Sequence, residues 1–492
     1  MKTRSDGGEL HAVGPVAIRA WYGLLTQAVD KVLPVLILLY LARVLDPAEF
    51  GVYSFVIAYL AFFQIVSDYS IDTVLVRAMS QDPDDRDALL RAGLGLKFTM
   101  ALVSATLAVA FVGPASAHQT PVWLMAVASL NLPTALGGAY RAWQRARLEI
   151  GTLFLQAALR SGLLALGVFA VVEAGAGLEA IFASMSAANA ITFFVVAWTV
   201  RRTVRPGLAF DLPRWRRLAG GIAPLMLNAF AMTISLRIGQ ILLMSLRGPV
   251  EVGVLGAASR VTEAFTLLPE ALMISVYPLM AGLHARESPA LLRTAERSAR
   301  YLVAATGVPV VLCAVAGNSI MNLLFPQQGV AAGPVLSLLA FTALFSATGT
   351  VILNLLVATH GEKTLSRNTF AFAIVNLIAS FFMIRAYGGI GAAWTMLLTS
   401  AASQVSLAML PSTRRYVRAV LGPAARAFAA VAAAVVVGRA SGFVGVALIS
   451  TTLGAYAAAI LTLRICGVEE LRLLRAAVAG NRGATAAERE DR

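Results

Sequence analysis

Apolar segments near 20 residues long follow one another through almost the whole 492-residue sequence, separated by short polar connections. A helix of about 20 residues crosses the roughly 30 Å hydrocarbon core of a bilayer. Lipid offers no hydrogen-bond partners to the backbone, so such segments must be helical. Charged residues make up only 13% of the chain, against about 25% in soluble domains. The sequence therefore predicts an all-α polytopic membrane protein without a large soluble domain.

Fourteen segments can be delimited in this way, and each is predicted to form one transmembrane helix. Their approximate ranges are 19–43, 50–74, 92–113, 120–140, 151–173, 177–200, 218–246, 251–282, 299–317, 331–358, 366–386, 390–411, 419–438 and 443–464. The helices near the C-terminus are the weakest of these, so twelve spans is the alternative count.

Lys and Arg are distributed very unequally between alternate connections. One set, which includes residues 77–97 and 201–217, holds 23 of them, whereas the other set has only four, at helix ends. Cytoplasmic loops carry the excess of basic residues, so both termini are expected to face the cytoplasm of a bacterial inner membrane. The net charge of +14 is spread over these loops. No basic arm or face typical of nucleic-acid binding is formed, and no nucleic-acid partner is expected.

The longest basic connection, RRTVRPGLAFDLPRWRR at residues 201–217, contains two prolines and divides the chain after the sixth span. It is the predicted boundary between two six-helix halves, which are followed by two extra helices and a polar tail. The predicted domains are an N-terminal bundle (1–200), a cytoplasmic linker (201–217), a second bundle (218–411), two further transmembrane helices (412–466) and a cytoplasmic tail (467–492).

A short motif recurs in the two predicted halves. Residues 47–52 read PAEFGV and residues 249–254 read PVEVGV, an offset of 202, each just after a long apolar span. Pro suits the first turn of a helix and Glu its positive end, so two unrelated turns could share these residues. The equivalent place in the topology, and the alignment of Asp68 with Glu270 at the same offset, favour a duplicated architecture instead.

The first hairpin, LARVLDPAEFGVYSF continuing to IVSDYSIDTVLVR, resembles the polysaccharide transporter family, the Wzx-type oligosaccharide flippases. The residues that match the family's pattern are Leu41, Arg43, Leu45, Pro47, Phe50, Gly51, Tyr53, Asp68, Asp72 and Arg77. Asp46 stands where the family usually has Gly. The resemblance is specific over residues 41–77 and extends over most of the chain through the span count and the repeat.

This family belongs to the multidrug/oligosaccharidyl-lipid/polysaccharide exporter (MOP) superfamily. The resemblance implies two six-helix bundles that face each other in a V and alternate between inward-open and outward-open states. It implies a substrate made of an oligosaccharide on undecaprenyl pyrophosphate, moved from the cytoplasmic to the periplasmic leaflet. The expected partners are this lipid-linked glycan, membrane lipid, and a polysaccharide polymerase with its chain-length regulator. The chain itself is expected to be a monomer.

Cations inside the spans are the predicted substrate contacts. Ionisable residues are costly in a membrane and usually face the bundle interior or a wet cavity, and Arg binds phosphate oxygens in a bidentate fashion. By analogy with the family, spans one, seven and eight line the central cavity. The predicted substrate-binding residues are Lys31, Arg237, Arg260, Arg19 at the cytoplasmic mouth, and Asn228 for sugar hydroxyls. Arg160 in span five is predicted to have a structural role.

Acidic residues of spans one, two and eight are candidates for binding a coupling proton or sodium ion. They are Asp30, Asp68, Glu263 and Glu270. Structural ion pairing is the alternative, because Arg260 and Glu263 lie three residues apart on one helix and can pair. The Gly389/Gly391 pair is expected to shape a turn. The spacing of the four His and two Cys predicts neither a metal site nor a disulfide framework, and no cofactor is expected.

Three other functions compete with the flippase prediction. A lipid II flippase shares the fourteen spans and a cationic cavity. A cation-coupled multidrug exporter would favour acidic and aromatic groups over the intramembrane Arg and Lys. A glycan polymerase or ligase would carry a large periplasmic loop with catalytic residues, whereas the longest such connection here is roughly 317–331. There is no phosphate-binding P-loop motif, so the chain is not expected to hydrolyse ATP. As a flippase it is not expected to be an enzyme.

Overall fold

A computed structural model describes residues 33–463, together with residues 26 and 29, apart from residues 83, 135, 148, 149, 202, 204–206, 443 and 444. These described residues contain no β-strand. The helices of the first half are α1 (Leu33–Val44), α2 (Pro47–Gln64), α3 (Ser70–Gln81), α4 (Arg86–Ala115), α5 (Val122–Ser129), α6 (Asn131–Thr134), α7 (Gly137–Ala146), α8 (Ile150–Glu173) and α9 (Leu178–Val200).

The helices of the second half are α10 (Leu212–Leu246), α11 (Pro249–Ala264), α12 (Leu267–Ala285), α13 (Ala290–Leu324), α14 (Gly329–Ala358), α15 (Glu362–Met409), α16 (Arg414–Ala440) and α17 (Val446–Thr462). A π-helical segment, Ile65–Tyr69, joins α2 to α3. Each predicted span overlaps one of these elements, so the all-α membrane architecture predicted from the sequence is confirmed.

Within the described residues, eleven helices are long and apolar enough to cross a membrane, counting α2 with α3, α5 to α7, and α11 with α12 as one each. Two shorter apolar helices, α1 and α17, correspond to the first and last predicted spans. The remaining difference from fourteen arises because two predicted spans are merged in the 48-residue α15. Fourteen crossings therefore stays a prediction.

Helix α15 folds back on itself at Gly388, whose φ of 58° breaks the helix. A Cβ placed on Gly391 would lie 2.1 Å from the carbonyl oxygen of Met383, although residues eight apart in a straight helix are about 12 Å apart. The side-chain amide of Asn368 donates to Ser403 Oγ at 2.8 Å across 35 residues. Helix α15 is thus an antiparallel pair, and the turn predicted from the Gly389/Gly391 pair is confirmed.

The chain divides into two compact units. The first unit contains the described residues up to Ala257, together with Asn322–Ala331 and Thr369–Thr395. The second unit contains Ala258–Met321, Ala332–Asn368 and the described residues from Met396 onward. Both copies of the repeated turn fall in the first unit. The predicted division at 201–217 into two six-helix bundles is a separate hypothesis and stays a prediction.

The turn at residues 45–49 starts helix α2 with a full set of capping interactions. Pro47 occupies the first turn, where a helix needs no N–H from it. The Asp46 carboxylate accepts the backbone N–H of Glu49 at 2.8 Å, and Glu49 accepts the N–H of Asp46 at 3.3 Å. This reciprocal capping box satisfies two otherwise unpaired donors. Asp46, the departure from the family pattern, is therefore the N-cap of α2.

The two copies of the repeated turn pack against each other in the first unit. A Cβ on Gly51 would lie 1.8 Å from the carbonyl oxygen of Pro249, and a Cβ on Gly253 would lie 2.9 Å from that of Pro47. The contact is reciprocal, because each glycine meets the proline of the other copy at the same offset of 202. Helices α2 and α11 can approach this closely only because neither position carries a side chain.

The repeat continues beyond the turn. Ser54 Oγ would lie 2.8 Å from a Cβ on Gly256, and these two positions are again 202 residues apart. Helix α2 gives way to the π segment after Gln64, and α11 ends at Ala264, just before a turn at Phe265 and Thr266. Both helices that follow the repeated turn are therefore interrupted at the corresponding place, which supports duplication rather than chance similarity.

Part of the basic connection predicted as a linker is fastened to helix α4 of the first unit. The Arg214 guanidinium binds both carboxylate oxygens of Asp85, at 3.0 and 3.3 Å, and also pairs with Asp211. Trp215 Nε1 donates to the carbonyl of Ala92 at 2.9 Å, and a Cβ on Gly95 would lie 2.2 Å from the carbonyl oxygen of Ala209. These contacts form the linker clamp, which fixes the entry into α10.

Arg214→Ala is expected to loosen the linker clamp. Because Arg214 and Asp85 are each partly exposed, the effect should be near the upper end for surface pairs, about a fivefold increase in local opening. Limited chymotrypsin digestion should then cut after the exposed Phe210 about fivefold faster than in the wild type. Arg216→Ala, which removes an exposed arginine of the same segment, is the control. Equal cleavage rates for the two variants would contradict the clamp.

The pH dependence of the linker clamp follows from Asp211. The pKa of this carboxyl lies below its ordinary value of 3.8, first because it accepts the backbone N–H of Arg214 and then because of the guanidinium of the same residue. A group with a lowered pKa contributes stability that is complete above its ordinary pKa and is lost as the pH falls through the lowered one. The clamp is therefore expected to hold throughout the neutral and mildly acidic range.

Candidate functional site

Several of the predicted site residues fall outside the part of the chain that the structure describes. Arg19, Asp30 and Lys31 belong to this group. Asp68 lies in the π segment Ile65–Tyr69, but its side chain is not among the described ones. A π-helical turn within an α-helix frequently marks a functional position. The roles assigned to these four residues stay predictions.

Arg237 and Asn228 lie on helix α10 in the first unit. Both side chains are partly exposed, and Asn228 Nδ2 makes only a weak contact with Met232 Sδ, at 3.9 Å. They are nine residues apart, which corresponds to a rotation of about 180° on a helix. The two side chains therefore leave α10 on opposite faces. A cavity on one side of this helix could be lined by Arg237 or by Asn228, but not by both.

Arg260 and Glu263 form an ion pair on helix α11, in the second unit, with Nη1 2.9 Å from Oε2. This is the pairing that their spacing permits. Both side chains remain partly exposed, at 26% and 35%, so an anion can still reach the guanidinium. Glu270 is exposed in the first turn of α12. The pair combines a guanidinium, whose fork suits oxyanions, with a carboxylate that competes for it.

A further ion pair, largely buried, joins Lys97 of α4 to Asp72 of α3, at 2.7 Å. Lys97 is only 1% exposed and Asp72 is 18% exposed, and Leu75 and Leu94 belong to the surrounding apolar cluster. The count of basic residues in the connection 77–97 includes Lys97, although the predicted span 92–113 also contains it. Helix α4 starts at Arg86, so Lys97 is roughly 16 Å along it. Even without Lys97, the charge asymmetry between the loops remains large.

The signature residues of the first hairpin hold the ends of later helices. Arg43 donates to the carbonyl of Leu323 at 3.2 Å, at the C-terminal end of α13, where a cation complements the helix dipole. Phe50 is fully buried and packs on Phe325, with ring centroids 6.1 Å apart. These residues therefore have clear structural roles.

The second copy of the turn has the same kind of role at the reversal of α15. Arg247 donates to the carbonyls of Ile384 and Arg385, at 3.4 and 2.8 Å, where the first arm of α15 ends. Glu251 accepts the backbone N–H of Gly389 at 2.8 Å, where the second arm begins. A cation at a helix C-terminus and an anion at an N-terminus each complement the local dipole, so the hairpin is held at its tip.

Known proteins resemble this chain in sequence family and in fold. A family described as "Polysaccharide biosynthesis protein" matches residues 20–284, more than half of the chain and both copies of the turn. No curated protein matches it by sequence. Similar solved structures include the lipid II flippase MurJ in an inward closed conformation, with 12% identity and a TM-score of 0.69 over 90% of this chain and 99% of that one.

Two transporter structures have the same fold. An inward-facing multidrug resistance MATE family transporter of the MOP superfamily has 11% identity and a TM-score of 0.60, covering 81% of this chain and 99% of its own. The eukaryotic MATE transporter AtDTX14 has 11% identity and a TM-score of 0.58, covering 84% and 98%. At such identities the likeness establishes the MOP-type fold. With the family match over residues 20–284, the chain belongs to the polysaccharide biosynthesis protein family.

Proposed function

We propose that this protein is a flippase for undecaprenyl-pyrophosphate-linked oligosaccharide units, working by alternating access in the bacterial cytoplasmic membrane. Its product would enter O-antigen, capsule or exopolysaccharide synthesis. The observation that carries the proposal is the reciprocal Gly51–Pro249 and Gly253–Pro47 contact, found in a member of the polysaccharide biosynthesis family. Two equivalent repeats that meet through equivalent residues are the architecture on which alternating access depends.

The repeated turn supports this mechanism through its position. It lies on the side predicted to be periplasmic, and the contact between its copies holds α2 against α11. For a substrate to leave toward the periplasm, α2 and α11 must separate there. The contact is built from backbone and glycine rather than from interlocking side chains. Its separation therefore breaks few directional bonds, as a reversible gate requires.

Cations on α10 and α11 are proposed to bind the pyrophosphate. Arg260 presents a fork that suits phosphate oxygens, and Arg237 supplies a second guanidinium. Glu263 holds Arg260 at 2.9 Å. A pyrophosphate must displace this carboxylate, and protonation of Glu263 would favour the exchange. This is a physical route by which a proton could be coupled to transport, while Asp30, Asp68 and Glu270 remain the other proposed coupling positions.

The remaining parts of the proposal concern location, partners and chemistry. The 22 basic residues that remain in the predicted cytoplasmic connections support cytoplasmic termini. The lipid-linked glycan is chemically the same on both sides of the membrane, so the protein is proposed to act without catalysis. It is also proposed to be a monomer. A polymerase and a chain-length regulator would receive the translocated glycan.

A lipid II flippase is the second candidate, and the observation that favours it is the fold shared with MurJ. Both substrates present a pyrophosphate on a polyprenol, so the arginines cannot separate them. The match to the polysaccharide biosynthesis family favours the surface glycan. A multidrug exporter is supported by the fold likeness to MATE transporters, but the Arg237 and Arg260 cations would oppose cationic drugs.

Deletion of the gene tests the proposal directly. The expected result is loss of surface polysaccharide and accumulation of lipid-linked oligosaccharide in the cytoplasmic leaflet, restored by the wild-type gene. Growth arrest with lysis, together with accumulated lipid II, would identify the second candidate instead. Normal surface glycan with increased sensitivity to cationic drugs would reject both flippase functions.

Arg260→Ala is expected to reduce glycan export by at least tenfold, because it removes the guanidinium fork while the protein remains in the membrane. Glu263→Gln distinguishes phosphate binding by Arg260 from proton coupling by Glu263. It frees Arg260 for phosphate, so export should continue. Because the titratable carboxyl is gone, export should no longer depend on pH. The control is Arg286→Ala, which removes an exposed arginine just after α12. Export at the wild-type rate in Arg260→Ala and in the Arg237→Ala/Arg260→Ala double variant would remove both residues from the site.

A further inference from the structure

We infer that the helices of the first unit enclose a binding pocket for a small oxyanion, meaning a phosphate- or carboxylate-bearing group. A cavity of about 280 Å³ lies among α1, α2, α6, α7, α8 and α9. All of its lining residues belong to the first unit. A water molecule occupies about 30 Å³ of liquid volume, so the cavity is large enough for a diphosphate or a carboxylated sugar ring.

The polar lining of this cavity is dominated by hydrogen-bond donors. Arg141 of α7 and Arg160 of α8 bring two guanidinium groups to it. Gln64, Asn131 and Asn189 contribute side-chain amides, and the described lining contains no Asp or Glu. Arg160 has other contacts, but a guanidinium carries five N–H donors and can serve a neighbour and a ligand together. Such a donor set favours an anion over a cation.

Some of the hydrogen-bonding groups of these side-chain amides are paired with each other, and the others are available to a ligand. Asn189 Nδ2 donates to Asn131 Oδ1 at 2.5 Å, which orients both side chains toward each other. Each amide offers two donors and an acceptor with two lone pairs, so the remaining groups can bind ligand hydroxyls or oxyanions. A Cβ placed on Gly137 would meet nothing within 4 Å, so α7 presents open space to the cavity where it begins.

The apolar part of the lining determines what else the ligand can contain. Leu132, Leu164 and Phe193 form walls beside the polar groups. A compact anion with a carbon skeleton, such as a carboxylated sugar, or a diphosphate head group fits this mixture. A neutral hexose would offer Arg141 no counter-charge, and an organic cation would be repelled. The inference stands apart from the proposed transport activity, since binding of a small anion can be measured without transport.

Calorimetry on the purified full chain in neutral detergent tests the pocket. Inorganic pyrophosphate and glucuronate are the two probes, and glucose is the neutral comparison. We expect saturable binding of one or both anions and none of glucose. Pyrophosphate alone would indicate a phosphate head group as the natural ligand, whereas glucuronate alone would indicate an acidic sugar. Failure of both anions to bind, or equal binding of glucose, would overturn the inference.

Variants locate the binding to this cavity. Arg141→Gln should weaken anion binding at least tenfold, and Arg141→Lys, which keeps the charge without the fork, should weaken it less. Arg145→Gln, four residues along α7 and absent from the lining, should bind like the wild type. A single symmetric peak in gel filtration establishes that each variant is folded. Equal weakening in Arg141→Gln and Arg145→Gln would show nonspecific charge attraction and overturn the pocket, whatever the outcome of the export experiments.

Discussion

Gly51→Ala should abolish most glycan export, although it adds only one methyl group. The new Cβ would lie 1.8 Å from the carbonyl oxygen of Pro249, closer than any real contact, and the backbone cannot rotate away as a side chain could. Helices α2 and α11 must therefore move apart, at a cost of about 1–3 kcal/mol typical of overpacking. The conformation in which the two turns meet would lose population by roughly 5- to 150-fold. Surface polysaccharide in a complemented deletion strain is the measurement.

The chain offers a graded series of controls for this prediction. Gly253→Ala adds a Cβ 2.9 Å from the carbonyl oxygen of Pro47, so its effect should be smaller than that of Gly51→Ala. Gly220→Ala on α10 adds a Cβ with nothing within 4 Å, and both membrane level and export should match the wild type. The test is whether the loss of export decreases in the order Gly51→Ala, Gly253→Ala, Gly220→Ala. An equal effect of all three substitutions would mean that the contact has no special part in export.

Lys97→Ala should strongly destabilise the protein. It removes the ammonium group that lies 2.7 Å from the Asp72 carboxylate in a largely buried position. Breaking a buried pair in this way typically costs about 3–5 kcal/mol, a large part of the 5–15 kcal/mol that stabilises a typical protein. We expect a clear fall in the thermal unfolding midpoint in detergent and little protein in the membrane.

A second substitution distinguishes the charge from the side-chain volume. Lys97→Met with Asp72→Asn removes both charges and keeps most of the volume, so it should recover most of the lost stability. Lys363→Ala removes an exposed lysine just inside the first turn of α15 and should change the midpoint little. If the double variant were as unstable as Lys97→Ala, packing rather than the buried charge would be the cause.

The sequence predicted the positions of the helices well because lipid imposes one rule on every span. Apolar length alone located α4, α9 and α14 to within a few residues, apart from their extensions into the connections. It could not locate Lys97, because a count of charges in connections assumes that every cation near a boundary lies in water. Only the approach of α3 to α4 shows that Lys97 is buried and pairs with Asp72.

The repeated motif was predicted from its spacing, but its contact was not. Pro47 and Glu49 were correctly assigned to a helix start, since local chemistry determines a cap. The meeting of Gly51 with Pro249 involves residues about 200 positions apart, and no local preference encodes it. Asp46 was read as a mild departure from a family pattern, although its carboxylate is the N-cap.

The candidate site was less accessible to sequence reasoning. The spacing of Arg260 and Glu263 predicted that they could pair, and they do. Arg160 was assigned a structural role, whereas the structure also places it in the lining of a polar cavity. Helical position alone does not reveal which face of α8 meets which neighbours. The opposite faces of Asn228 and Arg237 could have been inferred from their nine-residue separation, because that calculation needs only the helical repeat.

The reciprocal contact of the two turns has the form of an isologous interface, in which residue i meets residue j and j meets i. A half-length ancestor that assembled as a symmetric dimer would have needed one glycine and one proline to make both halves of this contact. Fusion of the two copies into one chain releases each from that constraint. The first copy now has Phe50, which packs on Phe325, while the second has Val252 at the equivalent position. Duplication thus permits the two turns to keep a symmetric contact while the residues around them diverge.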